Sequence, residues 1–590
     1  MISKKLTALL LILAVLFASF PLTARAAVTA EPFTDVPSSH WSYETVHRLR
    51  ELNITQGIGN NKFGLGLTIT RGEFITFLVR LMGWDLVKPT KGSFLDNMDP
   101  SKFYYAPIET AYAHGIIKKA DYSRANSLVT RDEMAIMIVR TLGYETLAGQ
   151  LDTLEKPFSD VTRYNGYIAI GKDLGIITGV GNNKFDPASN ATRDQAAAMM
   201  VRMYDKLNKP LEELHAFYAI SSASQIDKFS QLDSVSFGWA RLEYDDVSKQ
   251  VTINTDGGSN EYYIPTGFAE VLNKAEANQA SRQLMFAVKD QKVTDPSTNK
   301  TVPLAEYIIT TPEVKKQVIS GMASMVNLTE KYGFSASFDG VVSDFEGFKG
   351  KALAEAYNAF LAELKAELDK TGKKLYVAVQ PRGKPGQSYF DGYDYKTIGE
   401  LAHRVILMAH DYDATSLTFD EMKNGYTDTP VTPFDEVYYA LKSITDSVSG
   451  VQDRSKIWLQ LNMDTVQWQL SGGKVINQYP YHPTYDQLYN RFLSGASLYY
   501  SGLSQNPYAK YTNSETGIDN VIWYESQQSI AAKIKLAKMF GITGLSVWRL
   551  GAVPEYPDTE RPVIIKIEGA AYAALFFMPR FFHTRPLPTF

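Results

Sequence analysis

The chain of 590 residues reads as three all-α helix–loop–helix repeats followed by an α/β unit of the (β/α)8 TIM barrel class. Three observations carry that reading. Short motifs recur three times in the N-terminal third, at a spacing of about 60 residues, and a fixed period marks repeated structural units. From about residue 215 onward, β-rich runs alternate with amphipathic helical runs over roughly 340 residues, the pattern of a closed parallel barrel. One of those runs, Phe338 to Glu346, is an apolar strand with two carboxylates at its end. Barrels of this class carry their chemistry at the strand C-termini.

Composition narrows the classes. Hydrophobic content of 45% with 21% charged residues belongs to a globular protein, and the length predicts two to four domains. A net charge of −4 argues against a nucleic-acid binder, which needs a basic face. The chain has no cysteine, which excludes disulfides and thiolate-bound metals; neither a metal nor a cofactor is expected. Residues 1–26 read as a signal peptide: Lys4 and Lys5 precede an apolar run from Leu6 to Phe20, and Ala24 to Ala26 form a small-x-small cleavage site. An uncleaved anchor is the alternative, but the run is shorter than the ~20 residues a bilayer needs. No transmembrane segment is expected after cleavage. Secretion without cysteines fits a bacterial cell surface.

The repeats are placed at 30–90, 91–150 and 155–207. Phe33-x-Asp35 returns as Phe94-x-Asp96 and Phe158-x-Asp160. Thr70-Arg71-x-Glu73 returns as Thr130-Arg131-x-Glu133 and Thr192-Arg193-x-Gln195. Each threonine caps a helix while the acid or amide three residues on reaches back, a capping box. Phe74, Phe77, Leu78 and Leu81 follow at helical spacing, and Val46, Leu49, Leu52 and Ile54 mark a partner helix. The arginines are expected to be exposed beside helix N-termini, as anion pockets. These motifs resemble S-layer homology domains, which dock secreted proteins on acidic secondary polymers of Gram-positive cell walls. The resemblance implies that Asp35, Asp96, Asp160, Arg71, Arg131, Arg193 and the aromatic Trp41 bind that polymer or shape its groove. It also places the protein outside the cell, on the wall or S-layer. A proline-bearing stretch, 208–214, reads as a linker.

The barrel is placed at 215–555. Its strand candidates are Ala216–Ile220, Ser234–Leu242, Gln283–Val288, Phe338–Glu346, Lys374–Pro381, Arg404–Asp411, Lys456–Asn462 and Gly544–Trp548. Helical runs such as Thr311–Tyr332 and Ala352–Lys370 lie between them. Strand side chains alternate between faces, so Asp344 and Glu346 project together, roughly 6–7 Å apart at Cα. Burial and mutual repulsion of two such acids push one pKa upward, which keeps a carboxyl protonated for general acid work. The tail, 556–590, reads as irregular.

Three patches of the barrel resemble family 18 glycoside hydrolases. Asp339, Asp344 and Glu346 match the first, third and fourth acids of that family's fourth-strand motif, with Val342 at the second. Met408, Asp411 and Tyr412 match its sixth-strand pattern, with His410 replacing the usual tyrosine. Gly541 to Gly551, with Trp548, resembles the eighth strand, whose tryptophan floors the sugar site. The absence of the chitinase Ser-x-Gly-Gly after Met285, together with Gln380-Pro381-Arg382, is nearer to the peptidoglycan-lytic branch.

The resemblance implies substrate-assisted hydrolysis with retention. Glu346 protonates the glycosidic oxygen, the substrate's own acetamide attacks, and Asp344 holds the acetamide N–H, with Asp339 completing the catalytic set. His410, Asp411, Tyr412, Trp548 and Gln380 would bind substrate, His410 through a ring N–H and Tyr412 by swinging into the place of the missing tyrosine. The glycan is then peptidoglycan or chitin-like. A non-catalytic glycan-binding (lectin-like) barrel and a structural S-layer protein are the alternatives.

Overall fold

A computed structural model describes residues 31–554, apart from 259 and 385–389. The signal peptide and the 556–590 tail lie outside the described residues. Two compact units are present. One takes the described residues through Tyr144 with Lys156–Gly171 and Ile176–Tyr204; the other takes Glu145–Glu155, Lys172–Gly175 and the described residues from Asp205 onward.

The first unit contains three helix pairs: α1 (Tyr43–Glu51) with α2 (Arg71–Met82), α3 (Tyr105–Ala113) with α4 (Arg131–Thr141), and α5 (Asn165–Asp173) with α6 (Arg193–Asn208). Each second helix opens on the expected capping box. Glu73 Oε2 accepts from Thr70 N at 2.9 Å, Glu133 Oε2 from Thr130 N at 3.2 Å, and Gln195 Oε1 from Thr192 N at 3.3 Å. Phe74, Phe77, Leu78 and Leu81 are buried as their spacing requires.

The arginines are not exposed. Arg131 and Arg193 are 5% and 3% exposed, and each of the three is spent on the next repeat. Arg71 Nε donates to Ser123 O at 3.1 Å, Arg131 Nε to Phe185 O at 2.8 Å, and Arg193 Nε to Phe63 O at 2.9 Å. The same three loop residues donate their amides to the aspartates of their own repeats: Ser123 to Asp96 and Phe63 to Asp35, both at 2.7 Å, and Phe185 to Asp160 at 2.9 Å. The T-R-x-E arginine and the F-x-D aspartate are therefore two halves of one latch. A guanidinium buried at a helix start needs acceptors, and the loop carbonyls supply them. Isolated bridges Thr70↔Leu128, Thr130↔Asn190 and Thr68↔Thr192 join the repeats pairwise, so the third repeat returns to the first.

The second unit is a closed barrel of eight parallel strands: β1 (Glu213–Tyr218), β2 (Ser234–Asp245), β3 (Ser281–Val288), β4 (Gly340–Asp344), β5 (Lys374–Val379), β6 (Arg404–Leu407), β7 (Ile457–Asn462) and β8 (Gly544–Trp548). Each pairs with its neighbour in sequence, and β1 closes the ring against β8 with Glu213 opposite Gly544. All eight candidate strands are found: β4 to β7 are trimmed by one to four residues at an end, β2 runs on by three residues, β1 and β3 start three and two residues earlier, and β8 coincides. Residues 209–212 separate α6 from β1, within the expected linker at 208–214. Phe217, Met285, Val342, Ile406 and Trp458 fill the interior. Gly544 is obligatory there, because a Cβ would stand 2.0 Å from Trp458 Cδ1.

Between β7 and β8 lies an element the sequence reading does not anticipate. It is an antiparallel sheet in the order Lys474–Val475, Val466–Ser471, Asp519–Trp523, Asn506–Thr512, Ser497–Ser501. It packs its own core of Val466, Trp468, Val521 and Trp523. Glu525, just after its Asp519–Trp523 strand, is 2% exposed and receives Lys533 Nζ at 2.7 Å and Asn506 Nδ2 at 2.7 Å. That buried pair fastens the sheet to the helix Gln527–Met539.

The latch predicts the cost of losing one arm. Arg193→Ala leaves the Phe63 carbonyl and the Oε1 of Glu73 without their donor, and should destabilise the repeat unit by about 1–3 kcal/mol, read by denaturant unfolding of the full chain. An unchanged midpoint would mean that the latch carries no stability.

Candidate active site

A cleft of about 490 Å³ opens at the C-terminal ends of the strands, lined among others by Tyr262, Asp344, Glu346, Gln380, His410 and Trp548. The topology dictates this placement. Inward residues of parallel strands stack in layers, and those of the last layer border the opening.

Asp344 ends β4 and is buried, with Oδ1 lacking a hydrogen-bond partner among the described residues. Burial pushes its carboxyl well above the usual aspartate range; Glu346 adds to the push and His410 opposes it. Glu346 stands two residues on, exposed within the cleft. It is reachable by a ligand, yet protein surrounds it on most sides, and that desolvation raises its carboxyl, again against His410 and with Asp411. Burial, rather than mutual repulsion, is thus the leading cause of both shifts.

Gln380, at the end of β5, holds Glu346. Its Oε1 accepts from Gly347 N at 2.7 Å and Tyr393 Oη at 3.2 Å, which fixes its amide so that Nε2 donates to Glu346 Oε2 at 2.9 Å. A protonated Glu346 must then carry its proton on the other oxygen. Gln380 lines the cleft, but its polar atoms serve the acid rather than a sugar.

His410 departs from expectation. Nδ1 lies 2.9 Å from Asp411 Oδ2, a close ion pair rather than a well-aligned hydrogen bond, and Nε2 meets Gln460 Oε1 at 2.6 Å. Nε2 is bonded to Gln460, and Nδ1 is buried against Asp411 without an aligned hydrogen bond, so neither nitrogen is presented to an acetamide. Burial disfavours the charge, but Asp411, Gln460 and Glu346 outweigh it and hold the ring up at about 9. Asp411, in a left-handed backbone conformation at φ 59°, also accepts from Asn462 Nδ2 at 2.5 Å. Tyr412 borders the cleft, yet its hydroxyl is buried and has no hydrogen-bond partner among the described residues; it does not occupy the place of the missing tyrosine. Trp548 is half-buried at the base of the cleft against Phe217, with ring centroids 5.2 Å apart.

Asp339 is separated from this group. It precedes β4 at the opposite end of the barrel, roughly 17 Å away at 3.3 Å per residue, where it is exposed and accepts from Arg282 N at 2.7 Å. It cannot touch a glycan in the cleft. Tyr262 was not foreseen. It comes from the loop after the β2 hairpin, packs on the barrel core and faces both acids, which raise its hydroxyl together with burial, the larger cause. Gln460 and Asn462 were not foreseen either, although the signal is local: with Trp458 they form the inward face of an otherwise apolar strand.

Residues 298–552, from before β4 through β8, match the family described as "Glycosyl hydrolases family 18". The last five strands of the barrel, β4 to β8, thus fall within a match to the family 18 glycoside hydrolases. Residues 32–75 and 157–197 match the S-layer homology domain, so the first and third repeats are of that kind. A cortical fragment-lytic enzyme of Bacillus subtilis is 26% identical over 263 residues, covering 42% of this chain and 53% of that protein. A cell surface protein of Thermoanaerobacter kivui is 30% identical over 183 residues, covering 30% of this chain and 22% of that one. The chain thus spans about half or less of the length of these two relatives. Among solved structures, the Bacillus cereus spore cortex-lytic enzyme SleL matches 58% of this chain and 71% of its own at 20% identity, with a TM-score of 0.44.

The buried acid gives a pH signature. A carboxyl whose folded value is raised costs stability above its unfolded value and costs none below it. Asp344→Asn should therefore raise the melting temperature at pH 7, with the gain vanishing as pH falls to the ordinary aspartate value of 3.8. Thermal unfolding across that range checks it; an equal gain at every pH would mean that ionisation is not its source.

Proposed function

We propose that this protein is a hydrolase attached to the cell surface, cleaving β-1,4 bonds of N-acetylglucosamine-containing glycans by retaining, substrate-assisted catalysis. One observation carries the reading: Glu346 opens into the cleft with one oxygen held by Gln380 and the other free, directly beyond a carboxyl that is buried. The burial of Asp344 and its unbonded Oδ1 favour a role as acceptor of an N–H over one as nucleophile. The nucleophile must then come from the substrate, which is how this family departs from the two-carboxylate scheme. Glu346 donates its proton to the leaving oxygen while the acetamide oxygen attacks the anomeric carbon. Asp344 accepts the acetamide N–H and steadies the cation that forms. Glu346, now ionised, takes a proton from the incoming water. With His410 turned to Gln460 and Asp411, the hydroxyl of Tyr262 is the donor available to orient the acetamide, and Trp548 supplies the apolar floor.

Glu346→Gln keeps the shape and the Gln380 contact but has no proton to give, so hydrolysis of purified peptidoglycan should fall about 10²–10⁴-fold. Mass spectrometry of muropeptides should show new reducing ends on N-acetylglucosamine. Ends on N-acetylmuramic acid would defeat the assignment, and tight glycan binding without cleavage would give the lectin-like reading in its place.

The three repeats are proposed as S-layer homology domains docking on an acidic wall polymer. Because the arginines are spent inside the latch, their removal would confound binding with unfolding. Trp41, 59% exposed, is the cleaner probe. With Glu346→Gln in the background, Trp41→Ala should reduce co-sedimentation of the full chain with Gram-positive sacculi, and stripping the acidic polymer should abolish it. Sedimentation indifferent to both would remove the docking role.

A further inference from the structure

A row of polar side chains runs down the barrel interior from the cleft to the opposite end, and the mechanism above uses only its top. His410 Nε2 meets Gln460 Oε1 at 2.6 Å, and Gln460 Nε2 meets Ser546 Oγ at 3.3 Å. Ser546 Oγ lies 2.8 Å from His215 Nδ1, and His215 Nε2 lies 2.8 Å from Ser236 Oγ. Ser236 Oγ meets Gln283 Oε1 at 3.3 Å, and Gln283 Nε2 meets Ser281 Oγ at 2.8 Å. Ser281 Oγ ends the row on Asp339 Oδ2 at 3.3 Å. Gln460, Ser546, His215, Ser236 and Gln283 are each no more than 2% exposed, so no water competes for the bonds among them and each must satisfy its neighbours; only the Ser281–Asp339 end of the row is exposed.

The direction of every bond follows from the far end. A carboxylate only accepts, so Ser281 donates to Asp339 and accepts from the Gln283 amide. Gln283 Oε1 then accepts from Ser236, which accepts from His215 Nε2–H. A neutral His215 has one N–H, and burial pushes its ring down to about 3, so Nδ1 is left to accept from Ser546. Ser546 accepts from the Gln460 amide, whose Oε1 must face His410 as an acceptor. His410 therefore carries a proton on Nε2, and the Asp411 carboxylate beside Nδ1 asks for a second.

We propose that this directed chain, terminated by Asp339, holds His410 as an imidazolium beneath the two acids, and that Gln460, Ser546 and His215 are positioning residues for Glu346 and Asp344. Asp339 then acts from the opposite end of the barrel without approaching a glycan. The charged groups facing His410 are Asp411 on its own segment and Asp344 and Glu346 from the β4 end, while β7 offers the neutral Gln460; Asp411 in turn feels His482 from the inserted segment. A cation there lowers both acids, so its loss must raise them. The catalytic consequence rests on the hydrolase reading; the proton placement does not.

The test uses the full chain labelled at histidine Cε1. It has eight histidines, and the His410 signal is assigned by its loss in His410→Gln. In the unaltered protein His410 should remain doubly protonated through pH 8. Gln460→Leu removes the acceptor. Asp339→Ala, at an exposed site far from the cleft, removes the acceptor that fixes the direction, which an asparagine oxygen would retain. Both should lower the His410 midpoint by about one pH unit and move the kcat/KM profile to higher pH, a shift that a general loss of packing would not give. An unaltered His410 titrating near 6.5, or a midpoint unmoved by both variants, overturns the chain. Intact His410 behaviour in a protein that cleaves no glycan would count against the hydrolase reading alone.

Discussion

Closing eight parallel strands on themselves sends alternate side chains into an enclosed interior, and everything at the cleft depends on how that interior is filled. Here it is filled unevenly. Phe217, Met285, Val342, Ile406 and Trp458 supply apolar volume, while His215, Ser236, Gln283, Gln460 and Ser546 bring polar atoms into the same space. Buried polar groups are tolerated when each is paired, and the strand register sets them opposite one another: Ser546 of β8 lies beside both His215 of β1 and Gln460 of β7. Val342, where the family motif carries an acid, belongs to the apolar part. The charge that opposes Glu346 at Asp344 is therefore His410, just beyond β6, rather than a residue of its own strand.

That arrangement divides labour among groups of similar chemistry. Asp344 is closed off, Glu346 is open, and Asp411 is occupied by a cation and an amide. Asp344, Glu346 and Asp411 thus sit in three environments within one cleft, and burial rather than their mutual repulsion decides which of them resists ionisation. Gln380 contributes by geometry, since the amide that binds Glu346 is itself fixed by Gly347 and Tyr393.

The barrel was legible because strands buried on both faces are apolar runs that alternate with amphipathic helices. Asp344 and Glu346 stood out as charges where such a strand should have none. The inserted sheet escaped because antiparallel strands such as Val466–Ser471 and Asn506–Thr512 mix glutamine, tyrosine and lysine, and because Val466–Ser471 pairs with Asp519–Trp523 across a long interval of sequence. Tyr262 escaped because nothing local marks a loop residue that packs against a distant strand. His410 could be read as a substitution but not as a ring already bonded, since Gln460 lies fifty residues on. The arginines of the repeats failed differently. Helix-start arginines are usually solvated, and their acceptors, Ser123, Phe185 and Phe63, belong to other repeats and were not visible from any one motif.

Open solenoids stack repeats so that each touches only its neighbours, and their stability grows roughly additively with number. The ring formed here by Arg71, Arg131 and Arg193 obeys another rule. Because the third repeat grips the first, there is no terminal unit with a bare face and no need for a capping repeat. Nor can the count change by one: deleting any repeat strands one guanidinium without a loop and one loop without a guanidinium. Such a ring should tolerate drift within a repeat far better than a change in their number.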